Sequence, residues 1–181
     1  RNGKWGYKTV SGEDLVLSNN GQPQIIAKHK VNEANEAIGI QMHPDGKMKD
    51  EHEYLLQKAI KWADAVRTKK VSRADAWYCL QATIMKTIEY PLVATSLSRK
   101  DVDTIMAPIF KAILPKLGVQ KKNPHTLLYG SASAQGCNIK DPWVTQLIEH
   151  LHAICRHQHH DTPSADLHVE NMELTQCHVV S

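Results

Sequence analysis

The stretch DEHEYLLQKAIKWADAVRTKK, from Asp50 to Lys70, decides the fold class. At a helical repeat of ~100° per residue, Leu55, Leu56, Ala59, Ile60, Trp62, Ala63 and Val66 gather on one side, with Lys58, Lys61 and Lys69 on the other. The first side is expected in a core, and the second forms a basic stripe. Before this point the period is that of strands. Trp5 to Val10, Leu15 to Ser18 and Gln24 to Lys30 are short runs, and Asn19-Asn20-Gly21 between the last two is a hairpin signal. Ala37 to Met42 is a further apolar run, closed by His43-Pro44-Asp45-Gly46. There the proline presets its φ and the glycine tolerates a left-handed conformation, which predicts a tight turn.

The helical pattern continues beyond Lys70. Ser72 is placed to cap a second helix, with Asp75 three residues on and Trp77, Leu80, Ile84 and Ile88 as its buried stripe. Pro91 is expected to end it, because the residue before a proline avoids the helical region. Ser98 and Asp101 repeat the cap for a third helix, whose stripe is Val102, Ile105, Met106, Ile109, Ile113 and Leu117. Pro108 and Pro115 are expected to kink or divide it, since each removes a helical donor. Gly118 to Lys140 reads as a looser connection. Asp141-Pro142 then opens a last helix, with Val144, Leu147, Ile148, Leu151 and Ile154 expected inward. The expected fold is α+β and mainly α. Short N-terminal antiparallel strands occupy residues 1–49, a bundle of four or five helices residues 50–157, and a polar, His-rich, partly disordered tail residues 158–181.

With 181 residues, 41% of them hydrophobic and 23% charged, the chain can build one ordinary domain or two small ones, and disorder is excluded as its main state. No run of eighteen apolar residues occurs, so no helix is expected to span a bilayer. The chain opens at Arg1 without Met or an apolar leader, and is expected to be a processed product or part of a polyprotein. Cys79, Cys137, Cys155 and Cys177 form no Cys-x-x-Cys pair. They read as free thiols in a reducing intracellular compartment, nucleus or cytoplasm, with Cys79 a small core residue.

The formal charge of +3 conceals a polarity. Residues 54–122 carry thirteen bases against five acids, whereas residues 141–181 carry Arg156 alone against six acids. The excess runs through three helical segments: Lys58, Lys61, Lys69, Lys70 and Arg73, then Arg99 and Lys100, then Lys116, Lys121 and Lys122. Such a surface holds a phosphate backbone through counterion release without reading sequence.

Other chemistries lack their motifs. Ser131 and Ser133 do not lie in a Gly-x-Ser-x-Gly elbow, and read as a Ser-rich turn. Neither Gly-x-x-x-x-Gly-Lys-Ser/Thr nor Gly-x-Gly-x-x-Gly is present. His150, His152, His157, His159 and His160, with Cys155 among them, are the best metal candidates. His150 and His152 project to opposite sides of a helix, however, so no metal site and no cofactor is expected. Asp101-Val102-Asp103 suits a helix first turn, where acids offset the dipole.

Several strings, in order, carry a family likeness. Ile38-Gly39-Ile40, Pro44-Asp45-Gly46, Trp77, Tyr90-Pro91-Leu92, Leu114-Pro115-Lys116-Leu117-Gly118, Pro124, Tyr129-Gly130 and Gly136 resemble the region just downstream of the reverse-transcriptase palm in retrotransposon-encoded polyproteins. Elements of algae, fungi and other microbial eukaryotes look most similar, and the resemblance covers roughly residues 35–155. The chain departs from the pattern at Gly136-Cys137, where the family often has paired glycines, and at Ala37, where a larger apolar residue is common. The resemblance implies the last palm strands, the helical thumb and the following connection, whose family role is to grip the template-primer duplex. Palm catalysis there uses a Tyr-x-Asp-Asp turn and two metals. This sequence has no Asp-Asp pair, so the chain is expected to be a noncatalytic part of a larger RNA-directed DNA polymerase. Its expected partner is an RNA or DNA duplex, held by phosphates. The competing expectation is a retroelement-derived structural subunit that docks into a larger protein assembly, without a nucleic-acid role.

Overall fold

A computed structural model describes residues 15–19, 22–26, 30, 33–120 and 122–158. The expected strand Trp5–Val10, residues 27–29 of the expected third strand, Lys121 and the tail from His159 lie outside them. The protein is mainly helical, with two short antiparallel strand pairs preceding the helices. It divides into two compact units, Arg1–Tyr54 and Leu55–Ser181.

In the first unit β1 (Leu15–Asn19) pairs antiparallel with β2 (Gln22–Ile26). The register sets Asn19 opposite Gln22, and the expected Asn20-Gly21 turn lies outside the described residues. The run Ala37 to Met42 is not one strand. It folds back as β3 (Asn35–Ala37) and β4 (Ile40–Met42), with Ala37 opposite Ile40. Ile38 and Gly39, at φ 53° and 78°, form the two-residue turn. Gly46, at φ 76°, closes the His43–Gly46 turn by donating its N–H to His43 O at 2.9 Å. Helix α1 (Lys49–Thr68) begins in this unit, where the buried Glu51 accepts from Gln41 N at 2.6 Å.

In the second unit α1 buries Leu55, Ala59 and Ala63 at four-residue spacing. Leu56, Trp62 and Val66 are only half-buried, and Ile60 is exposed, so the core stripe is narrower than the sequence predicts. Helix α2 (Arg73–Cys79) starts at Ser72, whose hydroxyl accepts from Asp75 N at 3.1 Å. It runs into one π-helical stretch (Leu80–Ile84), then α3 (Met85–Glu89) and a 3₁₀ turn (Tyr90–Val93). Trp62 Nε1 donates to Thr83 Oγ1 at 2.9 Å, tying α1 to the π stretch. The α-helix ends at Glu89, ahead of Pro91 as expected, but not because the residue before the proline leaves the helical region. Tyr90 before it stays helical, at φ −55° and ψ −51°, because the chain tightens into the 3₁₀ turn with Pro91 at its start, where no donor is needed.

Helix α4 (Arg99–Ile113) opens with a complete Ser98/Asp101 capping box. Pro108 lies inside it without dividing it. Losing the proline's hydrogen bond costs about 3 kcal/mol. Ile105, Met106, Ile109, Phe110 and Ile113 are buried on both sides of it, and each contributes roughly 1.5–3 kcal/mol, so packing outweighs the break. Pro115 follows the end of the helix. Leu117-Gly118-Val119 then make a Schellman close: Val119 N donates to Leu114 O at 2.9 Å and Gly118 N to Pro115 O at 3.2 Å, with Gly118 at φ 73°.

The segment 118–140 is more ordered than expected. It holds α5 (His125–Tyr129) and a 3₁₀ turn (Ala132–Ala134). Cys137 N donates to Leu127 O at 2.8 Å, Asn138 N to Gly130 O at 2.8 Å and Ile139 N to Leu128 O at 3.1 Å. A Cβ on Gly136 would collide with the backbone of Gly130, so the close approach requires glycine there.

Helix α6 (Pro142–Gln158) packs on α3, α4 and the Tyr90–Val93 turn, but not by the face the sequence predicts. Val144, Leu147, Ile148 and Leu151 are exposed, Leu151 at 56%, and Ile154 is half-buried. The inward side carries Pro142, Gln146 and His150. The Gln146 amide explains the inversion. Its Oε1 accepts from Leu97 N and its Nε2 donates to Leu97 O, both at 3.0 Å, and His150 Nε2 lies 3.1 Å from Leu92 O. These polar groups satisfy the irregular backbone between α3 and α4, which an apolar face would leave unpaired.

Candidate nucleic-acid interface

The basic residues of the sequence are sorted by two long-range bonds. Lys116 Nζ donates to Lys69 O at 2.7 Å, across 47 positions of sequence. Arg73 Nε donates to Leu117 O at 2.5 Å, across 44. Both cations thereby answer carbonyls at helix ends, where orphan oxygens and the negative pole of the dipole favour positive charge. Together they bring the α1–α2 link, with Lys69 and Lys70, beside the Schellman close of α4. Lys69, Lys70, Arg73 and Lys116 form one cluster at this end, and Lys122 follows a few residues along the chain. The side chains of Lys69, Lys70 and Lys122 are exposed. Lys116 and Arg73 each spend one of several N–H groups on the carbonyls named.

The remaining predicted positions fall elsewhere. Lys61 is exposed on α1 and Lys58 is half-buried there. Arg99 and Lys100 sit at the opposite end of α4, whose 15 residues span about 22 Å. Arg99 is pinned against the fold, with its side chain still 37% exposed. Its Nη1 donates to Asp141 Oδ2 at 2.7 Å and its Nε lies 3.4 Å from Asp103 Oδ1. The guanidinium also stands 5.7 Å from the Tyr129 ring centroid and 5.6 Å from that of Trp143. Burial acts to lower its pKa, but the hydrogen bond and charge of Asp141, with Asp103 and Tyr129 adding, leave it raised. Two carboxylates thus offset the charge that the sequence assigned to a phosphate. Lys100 is exposed beside it.

Adjoining the cluster is a cleft of about 510 Å³ lined by Arg73, Ala74, Trp77, Leu117, Val119 and Cys137. Trp77 was expected in the buried stripe of the second helix. Leu80, Ile84 and Ile88 are buried as expected, but Ala76 takes the place of Trp77, which stands half-exposed at the cleft wall. Val119 and Cys137 were not singled out as site residues, because only the Schellman close and the 127–139 backbone bonds bring them near α2. Cys79 is half-buried rather than a core residue, and Cys79, Cys137 and Cys155 are free thiols.

Among the described residues no group of three or more His, Cys, Asp or Glu side chains is arranged to hold a metal ion. No helix among them is long and apolar enough to cross a membrane. No known family profile, curated protein or solved structure matches the chain.

Proposed function

We propose that this chain is a noncatalytic nucleic-acid grip, the thumb-like part of a retroelement reverse transcriptase, holding a template-primer duplex by its phosphates. The observation that carries the reading is the gathering of Lys69, Lys70, Arg73 and Lys116, from two distant parts of the sequence, at one end of the helical unit. The nearest acid on that stretch, Asp75, accepts from the Ser72 hydroxyl at 2.6 Å, and its single negative charge leaves the four cations in excess. Lys122, exposed a few residues further along the chain, adds to the charge at this end. A grip of this kind reads charge rather than sequence. Duplex affinity measured from low to moderate salt should fall with a log-log slope of about −3 to −4, as several counterions are released. A flat slope removes the reading.

A second reading rests on a different observation. The exposed stripe Val144, Leu147, Ile148 and Leu151 of α6 has the spacing of a helix that docks on another protein surface. It supports a structural subunit within a larger assembly. Recovery in a stoichiometric complex that survives nuclease and high salt would favour this role. Release of the chain by either treatment would favour the grip.

A further inference from the structure

We propose that the Trp77 cleft receives an unpaired nucleobase, making the chain a reader of single-stranded or overhanging ends rather than of continuous duplex alone. The inference rests on the nucleic-acid reading and deepens it. Three features converge on this occupant. The volume, about 510 Å³, lies within the roughly 300–1,000 Å³ of small-ligand sites. Five of the six described residues that line it, Ala74, Trp77, Leu117, Val119 and Cys137, are apolar or weakly polar, which suits a flat ring better than a phosphate. The sixth, Arg73, belongs to the cation cluster, so the rim is positive where the backbone of a nucleotide whose base lies inside must pass.

An apolar wall with an aromatic ring, beside a basic track, is how single strands are held without sequence preference. The ring face accepts any base, and the cations follow the phosphates. A base paired within a helix cannot enter the cleft. A base at a frayed end or an overhang enters without paying for unstacking on both sides. The half-exposure of Trp77, flanked by the buried Ala76 and Leu80, leaves its ring available to such a base.

The test uses the full chain and three fluorescent probes, in DNA and in RNA: a blunt duplex, the same duplex with a four-nucleotide overhang, and a single strand. The wild type should bind overhang and single strand more tightly than blunt duplex. Trp77→Leu should lose at least about fivefold in affinity for the unpaired probes while keeping its blunt-duplex affinity, and Trp77→Phe should retain most of the preference. A measurement on the unmutated chain guards against a folding defect: the single strand should slow alkylation of Cys137, mapped by mass spectrometry, and leave Cys155 unaffected. Equal binding of all probes, a Trp77→Leu variant with undiminished preference, or unchanged Cys137 alkylation would each overturn the cleft proposal while steep salt dependence still upheld the grip. Absence of salt-dependent binding by every probe would overturn both.

Discussion

Gln146 shows how much a single side chain can decide. It is only 3% exposed, and its amide completes both hydrogen bonds of the Leu97 backbone unit. Gln146→Leu keeps the volume but leaves two buried backbone groups unpaired, at about 1–3 kcal/mol each. Urea denaturation should show a loss of roughly 2–4 kcal/mol. Tyr129 is the converse case. Its hydroxyl has no hydrogen-bond partner among the described residues, while its ring packs near Phe110, His125 and Arg99. Burial pushes the phenol well above its ordinary range, the charge of Asp141 adds to this, and Arg99 offsets part. In the unfolded chain the phenol ionises near pH ~10, so the folded state loses stability as pH rises above that value and not below it. Tyr129→Phe should gain about 1 kcal/mol at neutral pH, by removing an unsatisfied group, and should flatten the alkaline limb of stability measured from pH 8 to 11. Ile38 is a third case, a β-branched residue held at φ 53° in a two-residue turn. Ile38→Asn should raise the stability of the first unit by about 1 kcal/mol, seen as slower amide exchange across β3 and β4.

At the level of elements, the helices whose apolar pattern meets no competing polar demand were legible from the sequence. α4 is the clearest: Ser98, Asp101 and the stripe from Val102 to Ile113 lie where the pattern put them. α6 was misread in its direction because periodicity reveals that a helix has two faces but not which one the rest of the fold needs. The backbone between α3 and α4 needed hydrogen-bonding groups, and Gln146 and His150 supply them. A direct comparison follows. Leu147→Gln should change stability by no more than about 0.5 kcal/mol, whereas Ile109→Ala should cost roughly 2–5 kcal/mol in the same melt. Equal losses would show that the α6 stripe is covered. Pro91 and Pro108 show a related limit: Tyr90 stays helical before Pro91, and Pro108 does not divide its helix. Local rules assign each proline a penalty, and the outcome depends on whether burial or a 3₁₀ turn offsets it.

For the whole molecule, the charge polarity was visible in the sequence, but the cluster it builds was not. The run from Lys58 to Lys122 contains thirteen lysines and arginines, of which the sequence marks ten alike as phosphate contacts. The fold places Lys69, Lys70, Arg73 and Lys116 together and pairs Arg99 with carboxylates and rings. Bonds that join residues 44 to 47 positions apart leave no local signature. Lys69→Gln with Lys70→Gln should therefore lower the magnitude of the salt slope by about 1 per residue for duplex, and Arg99→Gln should lower stability rather than the slope. Titrations at four salt concentrations, together with thermal melts, separate these outcomes.

The joint between Arg73, Lys116 and the close of α4 also makes binding and folding one linked equilibrium. The cluster exists only while the end of α4 is seated against α2, so the unfolded chain offers a ligand nothing comparable. Any polyanion that recognises the cluster must then protect the folded state in proportion to its concentration, by about 2.7 kcal/mol at a hundredfold excess over its dissociation constant. A rise in melting temperature on adding nucleic acid would report occupancy of this joint without a label. Variants that loosen the joint would weaken the grip even with every lysine in place.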